Sequence, residues 1–304
     1  VHSVGLVLHP RRDCEGAIGA VLDWTMAHGA RLYGVTDEIS RVQGATAVPA
    51  DELGAMVDLL VSLGGDGTML RAMRLSDGTR APVLGVNLGR LGFLAEVDVP
   101  DLPAALTAID NKDFTAEYRL ALDAFIDGRT LTAFNDVAVV RVPGEGSSAR
   151  VNLMVAGAPF VGYAADAVVI ATPTGSTAYS FAAGGPIVSP AVKALLVTPA
   201  APHSSYRGGL VLSTEDSLAL EILPDSGRLA VEVDGNVARY VGPGDRVDLQ
   251  ARPNAARVIR LGMTTFYERA RRKLRLTDSA ELDPSALARS LADRPLLDRP
   301  GPAC

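Results

Sequence analysis

The chain has 304 residues, about twice the span of one compact domain, and its 48% hydrophobic and 21% charged side chains are ordinary globular composition. A net charge of −6 argues against nucleic-acid binding, and the absence of a long apolar run or a basic-then-apolar leader argues against a membrane protein or a secreted precursor. Cys14 and Cys304 lie at opposite ends and the histidines are scattered, so neither a disulfide framework nor a zinc site is expected, and the cytoplasm is the expected setting.

In chain order, residues 4–9 read as a strand and 13–28 as a helix, with Ala17, Ala20, Val21 and Trp24 at helical spacing. Strands are expected at 31–35, 59–63 and 82–86, with a helix over 68–75. Apolar runs separated by helices suggest a parallel sheet covered on both faces. Beyond residue 113 the texture changes to short strands at 117–125, 131–141, 151–155, 168–171, 210–213, 218–222, 229–233 and 247–251. Turn signals such as Asp127-Gly128, Ala156-Gly157 and Asp234-Gly235-Asn236 separate them, which reads as an antiparallel sandwich or layered sheet. The expected division is an α/β domain over 1–105 and a β-rich domain over 106–262. A helix within 263–276 returns to the first domain, and a disordered tail follows at 277–304. The fold class is therefore α+β overall.

Lysine occurs only at Lys112, Lys193 and Lys273, and none completes a P-loop; the protein-kinase signatures are absent as well. Any nucleotide must be held by other means. The loop Leu63-Gly64-Gly65-Asp66-Gly67-Thr68 joins an expected strand to an expected helix. Its glycines free backbone N–H groups to face a ligand, and the helix N-terminus adds positive potential. Asp66 is foreign to a phosphate cradle unless a metal or a hydroxyl meets it, as a kinase base would; a capping turn built on Asp66 or Thr68 is the alternative, but Gly-Gly-Asp-Gly exceeds what a cap needs.

The loop Asn87-Leu88-Gly89-Arg90-Leu91-Gly92-Phe93 follows the next strand and can line the same crevice. A third loop, Thr172-Pro173-Thr174-Gly175-Ser176-Thr177-Ala178-Tyr179, offers hydroxyls for ribose and phosphate and a ring to stack a base. Asn135-Asp136 opens an apolar strand, either as a turn or as a grip on a ribose diol.

Five strings, LGGDGTMLRA at 63–72, GVNLGRLGFLAEV at 85–97, FNDVAVVR at 134–141, ATPTGSTAYSFAAGGPIVSP at 171–190 and VEVDGN at 231–236, together resemble the NAD kinase family. The resemblance runs over residues 4–276. It implies phosphorylation of the adenosine ribose 2′-hydroxyl of NAD to give NADP, with ATP or polyphosphate as donor and Mg²⁺ present. It also implies a small-molecule nucleotide enzyme assembled as a homodimer or homotetramer. By this resemblance Asp66 accepts the proton, Gly65, Gly67 and Thr68 meet the nucleotide, and Arg71 meets its phosphate. Asn87 and Phe93 line the crevice, and Asn135 with Asp136 binds substrate hydroxyls. Asp166, Thr174, Thr177, Ala178, Tyr179, Ser180, Phe181 and Ala182 cradle NAD, Tyr179 lies against a base, and Asn236 adds a polar contact. Family members usually carry Glu at position 136, Gly at 167 and a basic residue at 164, where this chain has Asp136, Ala167 and Ala164. Two other readings stay open: a kinase of the same fold acting on another nucleoside or polyol, and a dinucleotide sensor without catalysis.

Overall fold

The computed structural model describes residues 1–40, 42–89 and 92–276; the tail expected at 277–304 lies outside the described residues. Five runs rich in Val and Leu form parallel strands: β1 (Ser3–Leu8), β2 (Arg31–Val35), β3 (Ala45–Val48), β4 (Leu59–Leu63) and β5 (Val83–Asn87). Their spatial order is β3-β2-β1-β4-β5. Strands β1, β4 and β5 are buried throughout because helices cover both faces. On one face lie α1 (Glu15–His28) and α5 (Leu102–Asp110), packed through Val21, Trp24, Leu102 and Leu106. Gly29, at φ 65°, ends α1 in the left-handed conformation.

On the other face lie α3 (Ala50–Met56) and α4 (Asp66–Ser76), packed through Leu53, Met69 and Met73. The short α2 (Thr36–Ile39) links β2 to β3. The chain thus leaves β1 toward one face and β4, its hydrogen-bonded neighbour, toward the opposite face. Loops that part in this way open a crevice at the carboxyl ends of the two strands.

After the two-residue β6 (Val97–Asp98), beside β5, the chain is antiparallel: β7 (Thr115–Ile126), β8 (Arg129–Ala133), β9 (Asp136–Arg141), β10 (Ala149–Val155), β11 (Ala158–Ala165) and β12 (Ala167–Ala171). A short helix α6 (Tyr179–Ala182) precedes β13 (Ala194–Ala200), β14 (Leu210–Ser213), β15 (Leu218–Ile222), β16 (Leu229–Val233), β17 (Asn236–Val241) and β18 (Arg246–Arg260). Six strands, in the order β14-β13-β12-β9-β16-β17, form one layer. Its inner side chains, among them Val137, Val139, Val168 and Ile170, pack on Leu122, Val151, Leu220 and Val247 of the second layer. The result is a sandwich with alternating residues turned into its core.

Strand β18 joins the two halves. It pairs antiparallel with β7 and β15, then parallel with β5 at Val258↔Val83, so the N-terminal sheet is part of a twelve-stranded mixed sheet. The parallel sheet expected for the first domain is present over β1 to β6, and β18 extends it into the mixed sheet. The single strand expected over 131–141 is two, β8 and β9, because the chain turns a corner at Phe134 and Asn135. The architecture is α/β at the N-terminus and a β-sandwich at the C-terminus, α+β overall.

The last described helix, α7 (Phe266–Leu274), opens with a capping box: Thr265 accepts the Glu268 N–H while Glu268 accepts the Thr265 N–H. Arg269 then enters the N-terminal half and meets buried Glu96 at 3.1 Å, which also receives Arg260 at 2.9 Å and the Leu261 N–H at 2.8 Å. A buried carboxylate with three donors is well satisfied, and it fixes how α7 sits on the sheet.

Candidate active site

The crevice between β1 and β4 is a cleft of about 430 Å³ lined by His9, Pro10, Arg12, Gly65, Asp66, Gly67, Thr68 and Arg71. The helix N-terminus of α4 opens onto it, with Gly65 as N-cap and Asp66 in the first turn. A Cβ added at Gly65 or Gly67 would meet open space, so these positions leave the backbone N–H groups accessible from the cleft. Gly64 has a structural duty instead, since a Cβ there would lie 2.2 Å from Thr68 Oγ1. Arg12 and Arg71 bring two guanidinium groups to the same cleft, and Arg71 is ion-paired with Glu38 of α2. His9 Nδ1 accepts the N–H groups of Arg11 (3.1 Å) and Arg12 (3.0 Å), shaping the loop after β1. Burial, Arg12 and Arg11 hold the His9 imidazole below its ordinary pKa, which suits that acceptor role.

Asp66 is held from three sides. The Phe93 N–H reaches Oδ2 at 3.1 Å, the Leu94 N–H reaches Oδ1 at 3.0 Å, and Lys273 Nζ of α7 reaches Oδ2 at 2.8 Å. Gly92 packs against the carboxylate: a Cβ there would lie 2.3 Å from Oδ1. The second glycine loop therefore serves Asp66, and Phe93 places its ring under the Lys273 ammonium at 4.4 Å. Asn87 lies elsewhere. It lines a neighbouring cleft of about 490 Å³ with Asp13, Asp98 and Arg272, and its Nδ2 donates to Asp98 at 2.9 Å.

Register builds the second half of the site. Antiparallel pairing sets Asp136 of β9 opposite Ala171 of β12, and Val137 opposite Val233 of β16. The Phe134–Asn135 corner, the loop from Thr172 and the turn at Asp234 therefore converge at one sheet end. Asp234, at φ 48°, is the centre of this cluster. Its fully buried carboxylate accepts the N–H groups of Phe134 (3.1 Å), Asn135 (2.7 Å) and Asp136 (3.2 Å), and receives Arg74 of α4 at 2.8 Å. Thr172 Oγ1 donates to the Phe134 carbonyl at 2.6 Å, and the Thr172 N–H to the Asn135 carbonyl at 2.8 Å. The Asp136 carboxyl is pushed up to about 7 by burial and the Asp234 charge, against a hydrogen bond from the Tyr179 N–H.

The Thr/Ser-rich loop spends most of its hydroxyls on protein partners inside and outside the loop. Thr174 Oγ1 accepts from Arg119 at 3.2 Å, Ser176 Oγ donates to the Pro173 carbonyl at 2.7 Å, and buried Ser180 pairs with Thr198 at 2.9 Å. Thr177 caps the same turn through the Thr174 carbonyl. Tyr179 lies on the outer sheet face beside Val140 and Ala138, and burial, Glu232, Asp166 and Asp136 all raise its phenol pKa. Phe181 and Ala182 are exposed beyond it, and Ala178 links the two turns. Asp166 stands at the far end of β12 from Thr172, paired with Arg141 at 2.5 Å, and Asn236 is exposed with Nδ2 on the Asp234 carbonyl.

Arg74 lies eight residues after Asp66 on α4. That is about 12 Å along the helix axis, so one rigid element carries both Asp66 and the strut that meets the Asp234 corner. Sequence reasoning missed His9, Arg12, Arg74, Asp234 and Lys273. Two arginines immediately after β1 and the Asp234 of the Asp-Gly turn were visible signals; the partnership of Lys273 had none.

Two family models match the chain, the ATP-NAD kinase N-terminal domain over residues 32–114 and the ATP-NAD kinase C-terminal domain over residues 134–261. NAD kinase 1 of Streptomyces coelicolor is 35% identical across 95% of this chain and 88% of its own length. The NAD kinase of Desulforamulus reducens is 35% identical across 90% of this chain and 98% of its own. Among solved structures, yeast NADH kinase with NADH superposes at a TM-score of 0.79 with 25% identity, covering 93% of this chain and 90% of that one. An Archaeoglobus fulgidus NAD kinase with ATP shares the fold at a TM-score of 0.70 with 22% identity, covering 91% and 100%. On these matches the chain belongs to the NAD kinase family of phosphotransferases.

Proposed function

We propose that the chain transfers a phosphoryl group from ATP or polyphosphate to the adenosine ribose 2′-hydroxyl of NAD, giving NADP. The observation that carries this reading is the position of Asp66, at the mouth of an arginine-lined helix N-terminus and on the same helix as Arg74, which meets the Asp234 corner. Relatives with the same fold have been solved with NADH and with ATP, one ligand for each half of the transfer.

Phosphoryl transfer passes through a loose transition state, so the chain's work is alignment and charge neutralisation. Gly65 and Gly67 offer backbone N–H groups to the donor phosphates, with Arg12 and Arg71 as flanking cations. Asp66 takes the 2′-hydroxyl proton as that oxygen bonds to phosphorus and the donor's bridging P–O bond breaks. Asn135, Asp136 and Tyr179 form the acceptor side with Thr177, Phe181 and Ala182. Asp166, at the other end of β12 from Thr172 and near enough to raise the Tyr179 phenol, meets the outer part of the dinucleotide, and the chain assembles as a homodimer or homotetramer. Among the described residues no three metal-ligating groups converge. The chain therefore suits Mg²⁺ carried in on the donor phosphates, where it would neutralise their charge.

The test is incubation with NAD, Mg²⁺ and either ATP or polyphosphate, with NADP read directly. Asp66→Asn should fold, bind NAD and lose roughly 10²–10⁴-fold in turnover, the usual worth of a general base. Absence of NADP from the parent chain with both donors defeats the reading. Near-parental turnover in Asp66→Asn defeats the role given to the acid.

A further inference from the structure

Lys273 comes from the far end of the described chain, 207 residues from Asp66, yet its Nζ lies 2.8 Å from Oδ2. How it arrives there is legible step by step. The capping box fixes the start of α7, Arg269 is locked to Glu96, and Lys273 stands four residues later on the same helix face. Its ammonium rests over the Phe93 ring at 4.4 Å, and Phe93 itself donates to Asp66. Both side chains of the pair are about one-third exposed, 34% and 28%, so the bridge contributes little to stability in water. Its consequence lies in the chemistry of the acid.

An ionised carboxylate has about four acceptor positions, two on each oxygen. Among the described residues, Phe93 and Lys273 use Oδ2, and Leu94 uses one position on Oδ1. One position on Oδ1 is left for an incoming hydroxyl. We propose that Lys273 is a positioning residue of the phosphoryl transfer, which clamps Oδ2 of Asp66 so that Oδ1 alone takes the acceptor's proton. This rests on the reading of Asp66 as proton acceptor. Phe93 and Leu94 hold the carboxylate from the loop side, and among the described residues Lys273 alone holds Oδ2 from the α7 side. Without the ammonium the carboxylate is held from the loop side alone and can shift toward the loop, and a misplacement of about 1 Å is enough to cost roughly 100-fold in rate.

The experiment uses the full chain as Lys273→Met, Lys273→Gln and Lys273→Arg, measuring NADP formation with Mg²⁺ and whichever donor supports turnover. The Met side chain keeps the packing over Phe93 and removes the charge. Both neutral variants should lose roughly 10- to 100-fold in kcat while KM for NAD stays within about twofold, and Arg should recover most of the loss. Thermal unfolding should be unchanged in all three. Parental kcat in the neutral variants overturns the proposal. So does an Arg variant no better than Met, or a fall expressed only in KM. Asp66→Asn is run alongside. If it retains turnover, the base assignment and the clamp fall together; if it is inactive while Lys273→Met is fully active, the clamp alone is wrong.

Discussion

The guanidinium of Arg74 meets the carboxylate of Asp234 at 2.8 Å, and with Phe134 packed in one cluster with Met69 and Met73 that contact ties the helix bearing Asp66 to the corner bearing Asn135 and Asp136. Asp234 is fully buried and Arg74 is not, so the pair is anchored on the loop side. The same carboxylate holds three consecutive backbone N–H groups, which is why the chain breaks between β8 and β9 instead of continuing as one strand.

Asp234→Ala removes the partner of all these groups at once. Breaking a buried charged pair from one side costs about 3–5 kcal/mol, and the lower end is expected here because Arg74 can reach water. Urea unfolding should register that loss, and KM for NAD should rise. Asp234→Asn keeps an oxygen for the amides and should lose less. Equal stability of the Ala variant and the parent would contradict the latch.

Asp136 makes stability depend on pH. Its ordinary value is 3.8 and the folded value is about 7, raised by burial first and then by Asp234. The folded state therefore keeps a proton that the unfolded chain has released. The stabilisation is fully present below about pH 3.8 and is lost as pH rises through about 7. Asp136→Asn does not titrate, so parental stability should fall relative to that variant across this window. Asp234→Asn should move the titration of Asp136 downward. A stability difference between parent and Asp136→Asn that is flat with pH rules the shift out.

Gly92 is a glycine for its neighbour's sake. Alanine would place a Cβ 2.3 Å from Asp66 Oδ1 and must push the carboxylate aside. Turnover should fall about 100-fold with NAD binding retained, the signature of a displaced base. Isothermal titration with NAD beside steady-state rates separates the two effects, and unimpaired turnover refutes the crowding.

Arg12 faces the crevice beside the helix N-terminus of α4. Loss of one charge-assisted contact to phosphate is worth about 1.4 kcal/mol, or tenfold. Arg12→Ala should raise KM for the phosphoryl donor by about that factor and leave KM for NAD alone. A change confined to NAD would place the donor elsewhere.

Some of this molecule is written in short stretches of chain. Buried parallel strands announce themselves as apolar runs, the capping box and basic end of α7 mark a helix over Phe266–Leu274, and the glycines around Asp66 mark a ligand loop. Other elements lack a local signal. Strand β13 carries Pro199, tolerated because β14 pairs only with residues 194–197 and leaves the proline beyond its end. Strand β11 ends the sheet with exposed residues and a bulge near Pro159, so its alternation is weak.

Sequence alone determined the class of fold and marked Asp66 and the glycine-rich loops as candidates, because each depends on the periodicity or glycine content of neighbours in the chain. Tertiary structure decided which hydroxyls of the Thr172 loop are spent on protein partners, that Asp234 organises the Phe134–Asn135 corner, and that Lys273 grips Asp66. Those partners stand 99 and 207 residues apart, and only strand register and the docking of α7 bring them within hydrogen-bond reach.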